Sequence, residues 1–170
     1  TQIRAGQKVR QAGIELSEYF MPGLGGVKLS REHALESADA LNKINADFIR
    51  LRSLALPAAA PLTAHYESGE FDKMGEVATT RELLLFLESL QGITSKVRSD
   101  HVLNLFSEVN GTLPDDQQKM TDPLRRFLEL DAREQMLFCI GRRTHRFNRL
   151  DDLAKPELRG PVEKMCDTHG

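Results

Sequence analysis

Apolar positions recur at two different periods along this chain, and the switches between them predict its elements. In 2–12, Ile3, Val9 and Ala12 share one face of a helix, and Gly13 suits the position just past its end. "IELSEYFMP" is short and rich in strand formers, which predicts a strand over 14–21 ended by Pro22 and Gly23. Ser30 then caps a helix whose buried stripe is Ala34, Leu35, Ala38, Leu41 and Ile44, closed by Asn45. "DFIRLRSLAL" predicts a second strand, 47–54, with Pro57 beyond it. A short helix and turn follow at 61–69. Thr79 and Glu82 have capping-box spacing ahead of a largely apolar helix, 80–91, which Gly92 ends. "ITSKVRS" alternates and predicts a third strand, 93–98. Val102, Leu105 or Phe106, and Val109 then fall on one helical face within 100–109, stopped by Asn110-Gly111. The remainder reads as helix: 113–121, a restart at Pro123, 132–140 capped by Asp131 with Glu134 and ended by Gly141, a polar loop, and 157–167.

Strand 14–21, its following helix and strand 47–54 make a βαβ unit, parallel and right-handed by strong geometric preference. The expected fold is α/β: about three parallel strands in 1–111, followed by a helical extension over 112–170. Three parallel strands leave faces and edges that need cover. The sheet is therefore either a small one with unusual edge protection or half of a larger barrel. Helix 2–12 stands where an earlier crossover helix would stand, without its preceding strand. The chain also opens at Thr1 rather than Met, and so reads as cut from a longer one.

Composition adds exclusions. The 170 residues are 40% hydrophobic and 28% charged, ordinary values for a globular domain. A net charge of −2 provides no global attraction for nucleic acid, and no apolar run is long enough for a bilayer. "TQIRAGQKVRQAG" lacks the apolar core of a signal peptide. Two cysteines, Cys139 and Cys166, form neither a disulfide framework nor a paired metal motif. A cytoplasmic protein is the simplest reading.

"EYFMPGLGGVKLS" tests a phosphate-loop reading. A dinucleotide fingerprint needs a third glycine where Lys28 stands, and a P-loop needs Lys and Ser at a different spacing from Lys28 and Ser30. The turn is then a tight strand-to-helix connection. Loops at the C-terminal ends of parallel strands are nonetheless where ligands bind in this architecture.

"GIELSEYFMPGLGG", a helix, and "NADFIRLRSLALPAAAPL" together resemble the second half of the radical S-adenosylmethionine (SAM) enzyme domain. "SDHVLNLFSEVNGTLPDD" is similar to the later part of one subgroup, Fe–S oxidoreductases distantly similar to oxygen-independent coproporphyrinogen oxidase. The resemblance runs from about Gly6 to Arg143. It implies the C-terminal half of a partial TIM barrel, with 14–21 and 47–54 as its fifth and sixth strands. The family's fifth-strand pattern, G-x-I-x-G-x-x-E, helps seat the adenine. Here Gly23 matches its second glycine and Met21 its apolar position, while Tyr19 replaces the first glycine and Gly26 the Glu. The resemblance implies SAM and a [4Fe-4S] iron-sulfur cluster in the intact parent. This chain lacks the C-x-x-x-C-x-x-C triplet, so no cofactor is expected on it alone. Its partner would be the missing N-terminal half of the same domain.

Arg50 and Arg52 alternate with Ile49 and Leu51, so the arginines share one strand face. In a barrel they point into the lumen, toward carboxylates or SAM-derived groups. Otherwise they pair with acidic side chains such as Glu15 or Asp47; either way burial demands a partner. His101 and Asn104, one helical turn apart after a strand end, are candidate substrate contacts. His33, His65, His145 and His169 show no zinc-ligand spacing. Arg142, Arg143, Arg146 and Arg149 around Phe147 read as a solvated loop rather than an RNA contact. Two functions stay open: a fragment shaping part of an adenosyl and substrate cavity, inactive alone, or a non-enzymatic module binding an anion or a protein. The first implies that strand 14–21 has an exposed edge through which the fragment dimerises.

Overall fold

Helices cover one face of a small, mostly parallel sheet and leave the other face open. The computed structural model describes residues 1–169, with side chains through Asp167; the side chains of Thr168 and His169, and Gly170, lie outside the described residues. The elements run α1 (Gln2–Gln11), β1 (Ser17–Phe20), α2 (Gly26–Ile44), β2 (Phe48–Leu51), α3 (Pro61–Glu67), α4 (Glu76–Ser89), β3 (Lys96–Arg98), β4 (Gly111–Thr112), α5 (Gln117–Glu129), α6 (Ala132–Arg143), a 3-10 turn (Leu150–Ala154) and α7 (Pro156–His169). The fold is α/β, with an open sheet in the order β1-β2-β3-β4. β1, β2 and β3 are parallel, and β4 is antiparallel to β3. Among the described residues, no helix is long and apolar enough to cross a membrane.

The period-2 alternation of the strands decides which face is covered. Phe20, Ile49, Leu51 and Val97 point to one side and join Ala34, Ala38 and Leu41 of α2 with Leu83, Phe86 and Leu87 of α4. Phe20 stacks on Phe86 with ring centroids 3.7 Å apart. The same core continues into Phe106, Phe127, Phe138 and Phe147, so α5 and α6 share it with the sheet. β1 stands at one edge, paired to β2 alone.

The helix ends repay a local reading in part. Asn45 ends α2 in the left-handed conformation at φ 50°, and the Asp131 side chain accepts the Glu134 N–H at 2.9 Å. The start of α2 differs from expectation: it begins at Gly26, four residues before Ser30. The Gly26 N–H reaches Gly23 O at 3.0 Å and the Val27 N–H reaches Asp72 O at 2.9 Å. Gly26 is required here, at φ +61° with Asp72 O only 2.9 Å from where a Cβ would stand. Ser30 is released from capping, and its hydroxyl points into the protein.

Other expectations are corrected by longer-range contacts. The three strands are shorter than 14–21, 47–54 and 93–98, because ladder pairing stops where their ends turn to meet loops. Gly111 is a strand residue paired with Val97 rather than a stop. Residues 100–109 form no helix. There Ser99 Oγ donates to Phe106 O at 2.6 Å, and Asn110 accepts the Ser99 N–H at 3.0 Å while donating to Ser107 O at 2.6 Å. Such side-chain bonds compete with helical ones. Pro123 lies inside a single α5 instead of starting a new helix. An interior Pro costs about 3 kcal/mol, which burial of Met120, Leu124 and Phe127 offsets. α6 runs through Gly141 to Arg143, and the expected polar loop beyond it buries Phe147, Leu150 and Leu153.

Candidate functional site

The open face of the sheet is where chemistry concentrates. Its register forms three rows across the strands: Ser17, Phe48 and Lys96; Tyr19, Arg50 and Arg98; then, past the ladder, Arg52 and Asp100. Tyr19 is 60% exposed, and Phe48, Arg50, Arg52 and Arg98 are half-buried. A parallel sheet ordinarily carries cover on both faces. This one presents four cations and two aromatic rings on its second face.

The geometry settles the partner of Arg50 and Arg52. It is Asp100, not Glu15 or Asp47. Asp100 takes Arg50 Nη1 on one oxygen and Arg52 Nη1 on the other, the latter at 2.5 Å. Arg52 above all holds the Asp100 carboxyl below the ordinary carboxylate range, with Arg50 adding to it. Arg50 also donates from Nε to Ser17 Oγ at 3.2 Å. Arg52 lies over the Tyr19 ring at 5.0 Å from its centroid, and Arg50 over Phe48 at 5.6 Å. Asp47 is occupied elsewhere. The Leu16 N–H reaches it at 2.9 Å, Arg10 pairs with it, and together they lower its pKa.

The sequence candidates do not form one cluster. Tyr19, Arg50 and Arg52 meet on the open face. Met21 faces a groove of about 440 Å³ between β1 and α2, shared with Tyr19, Phe20, His33 and Ala40. Gly23 borders a different cavity, about 340 Å³, at the C-terminal ends of β1 and β2, with Ser53, Lys73, Glu76 and Arg143 around it.

The glycine turn points inward. The Gly23 N–H donates to Glu82 Oε1 at 3.0 Å, Ser30 Oγ donates to Glu82 Oε2 at 2.7 Å, and His33 Nδ1 lies 2.7 Å from Oε1. Glu82 is buried to 2% exposure. The Leu24 N–H bonds to Met21 O at 3.1 Å. With the Gly26 and Val27 N–H groups also engaged, four backbone donors of this segment already have acceptors. A phosphate would have to displace them.

His101 and Asn104 are neither helical nor equivalent. Asn104 is buried, accepts from the Ser53 N–H at 3.0 Å and Ser53 Oγ at 3.1 Å, and donates to Leu51 O and Ser99 Oγ at 3.0 Å each. All four of these bonds are internal, so its amide ties the end of β2 to the loop after β3. His101 Nδ1 is the one buried side-chain polar atom without a protein partner among the described residues.

The arginine segment is also structural. Arg142 donates to Leu105 O at 2.7 Å, Phe147 O at 2.8 Å and Asn104 O at 3.1 Å, strapping the loop after β3 to α6. Arg143 pairs with Glu76 and donates to Leu103 O at 2.7 Å. Among the described residues, no group of three His, Cys, Asp or Glu side chains is placed to hold a metal. Burial above all, with Glu76 adding to it, pushes the Cys139 thiol up to about 12, which keeps it neutral at physiological pH.

Sequence reasoning missed Phe48, Lys96, Arg98 and Asp100. The signal was available for all four: Phe48 continues the alternation of Arg50 and Arg52, and Lys96, Arg98 and Asp100 alternate with buried Val97 and Ser99. Nothing local marked Glu82 as the anchor of a turn 59 residues away. Comparison of the chain with protein-family models, curated proteins and solved structures finds no match.

Proposed function

We propose that the open face of the sheet is one wall of a ligand cavity, and that the chain is the C-terminal half of a radical SAM-type partial barrel. One observation carries the reading. Three consecutive parallel strands lie side by side in chain order, helices cover one face, and the other face bears Tyr19, Arg50, Arg52, Lys96 and Arg98. A barrel has this arrangement, with apolar side chains toward the helices and the remaining ones toward the lumen. Tyr19, Arg50 and Arg52 fit an adenosyl ligand through an aromatic face and cationic donors. Met21 and Gly23 lie off that wall, Met21 on the groove between β1 and α2 and Gly23 on the cavity at the strand ends.

The iron-sulfur cluster does not fit this chain's residues. Cys139 is half-buried against the core, where burial keeps its thiol neutral, and Cys166 is the only other cysteine. In this reading the cluster ligands belong to the other half of the domain, which also pairs with the edge of β1. The chain is inactive alone.

The rival, a non-enzymatic module that binds an anion on the same face, shares the site but needs no second half. The reading frame upstream of the Thr1 codon separates them. The barrel reading expects an in-frame C-x-x-x-C-x-x-C within about half a domain. A start codon directly before Thr1, with no such motif, contradicts it.

A further inference from the structure

We infer that the open face takes a small aromatic dianion, its ring on Tyr19 and Phe48 and its doubly charged head, such as a phosphate monoester, at Lys96 and Arg98. The inference rests on the cavity reading and assigns the chemistry of its occupant. The four cations of the face fall into two pairs. Arg50 and Arg52 share the single carboxylate of Asp100, which offsets half of their charge. Lys96 and Arg98 form no ion pair with any described residue. Arg98 Nη1 reaches only the carbonyl of its neighbour Val97, at 3.3 Å. Lys96 Nζ lies 5.6 Å from the Phe48 centroid.

Two residues apart on one strand, Lys96 and Arg98 have Cα atoms about 7 Å apart and share one face. Like charges on such neighbouring side chains repel, and neither has an ion pair of its own among the described residues to offset this. A dianion between them would do so, through charge-assisted hydrogen bonds from a guanidinium and an ammonium. The rings add the second requirement. Phe48 lies opposite Lys96 across the ladder and Tyr19 one strand further out, opposite Arg50, so both rings stand on the β1 side of the cationic pair. Tyr19 is exposed even though Arg52 lies over it, which leaves ring surface for a ligand. A flat apolar ring with one doubly charged group satisfies both features. A neutral ring or a bare anion satisfies one.

The chain reports on this site cleanly. It has two tyrosines, Tyr19 and Tyr66. In a Tyr66→Phe background every tyrosine ring signal in an NMR spectrum belongs to Tyr19. Phenyl phosphate should shift those signals saturably. Inorganic phosphate and phenol should each bind at least about tenfold more weakly, since each lacks one class of contact. Lys96→Gln with Arg98→Gln should weaken phenyl phosphate about tenfold or more, and Lys96→Gln alone should weaken it by an intermediate amount. Retained backbone amide dispersion checks that the variants fold. Unchanged affinity in the double variant, phosphate binding as tightly as phenyl phosphate, or no Tyr19 shift overturns the inference. SAM in a parallel titration separates the two readings. A Tyr19 response to SAM but not to phenyl phosphate removes the inference and leaves the cavity. The reverse response supports the dianion site, and the adenosyl assignment then stands or falls on SAM binding by the protein expressed from its whole reading frame.

Discussion

Gly141→Ala should lower the stability of the chain by about 3–5 kcal/mol in urea denaturation, the range seen when a buried Phe loses its site. A Cβ at residue 141 would stand 2.1 Å from Phe147 Cδ2 and 2.4 Å from its Cε2. Neither atom can yield cheaply. Phe147 is fully buried, its ring centroid 6.5 Å from that of Phe138, and its backbone is held by its own N–H to Gly141 O at 3.0 Å and by Arg142. The ring would have to leave the core. A double substitution isolates this cause. Phe147→Ala alone should cost a similar amount, about 3–5 kcal/mol. Adding Gly141→Ala to it should cost nothing more, and should recover up to about 1 kcal/mol from the better helix propensity of Ala. Additive losses would show that Gly141 matters for some other reason.

Glu82→Ala should be comparably damaging, about 3–5 kcal/mol, because it removes one side of a buried polar cluster and leaves the rest. Gly23 N–H, Ser30 Oγ and His33 Nδ1 all lose their acceptor at once. Glu82→Gln should cost less, about 1–3 kcal/mol, since its amide oxygen still accepts while its nitrogen meets donors. Hydrogen exchange supplies the local readout. The Gly23 amide should lose protection in both variants, while the Val97 amide in the sheet interior should change only with global stability. Unaltered Gly23 protection would contradict the assignment of Glu82 as the anchor of the turn.

Much of the architecture was legible because it depends on local chemistry. Ile49 and Leu51 against Arg50 and Arg52 identified both faces of β2, and Asn45 and Asp131 marked helix ends through conformations and caps that need only near neighbours. What failed to show was decided at a distance. Thr79 and Glu82 match a capping box, yet Gly75 caps α4 and Glu82 serves the turn after β1. The apolar spacing in 100–109 mimics a helix, while Asn104 and Asn110 draw that backbone into turns through bonds to strand ends. β4 is two residues long and carries no periodicity at all. Phe147 sits in a polar stretch whose burial becomes visible only once Gly141 opens room for its ring. At the site, Arg50 and Arg52 pair with neither Glu15 nor Asp47 but with Asp100, which comes from another strand end.

SAM binding by the protein expressed from its whole reading frame and purified without oxygen tests the central claim most directly, with wild type compared against Arg50→Gln combined with Arg52→Gln. The account predicts iron at cluster stoichiometry in both, and SAM affinity reduced about tenfold or more in the variant as two cationic donors on the cavity wall are lost. Iron-free protein, or equal SAM affinity in the two, would contradict it.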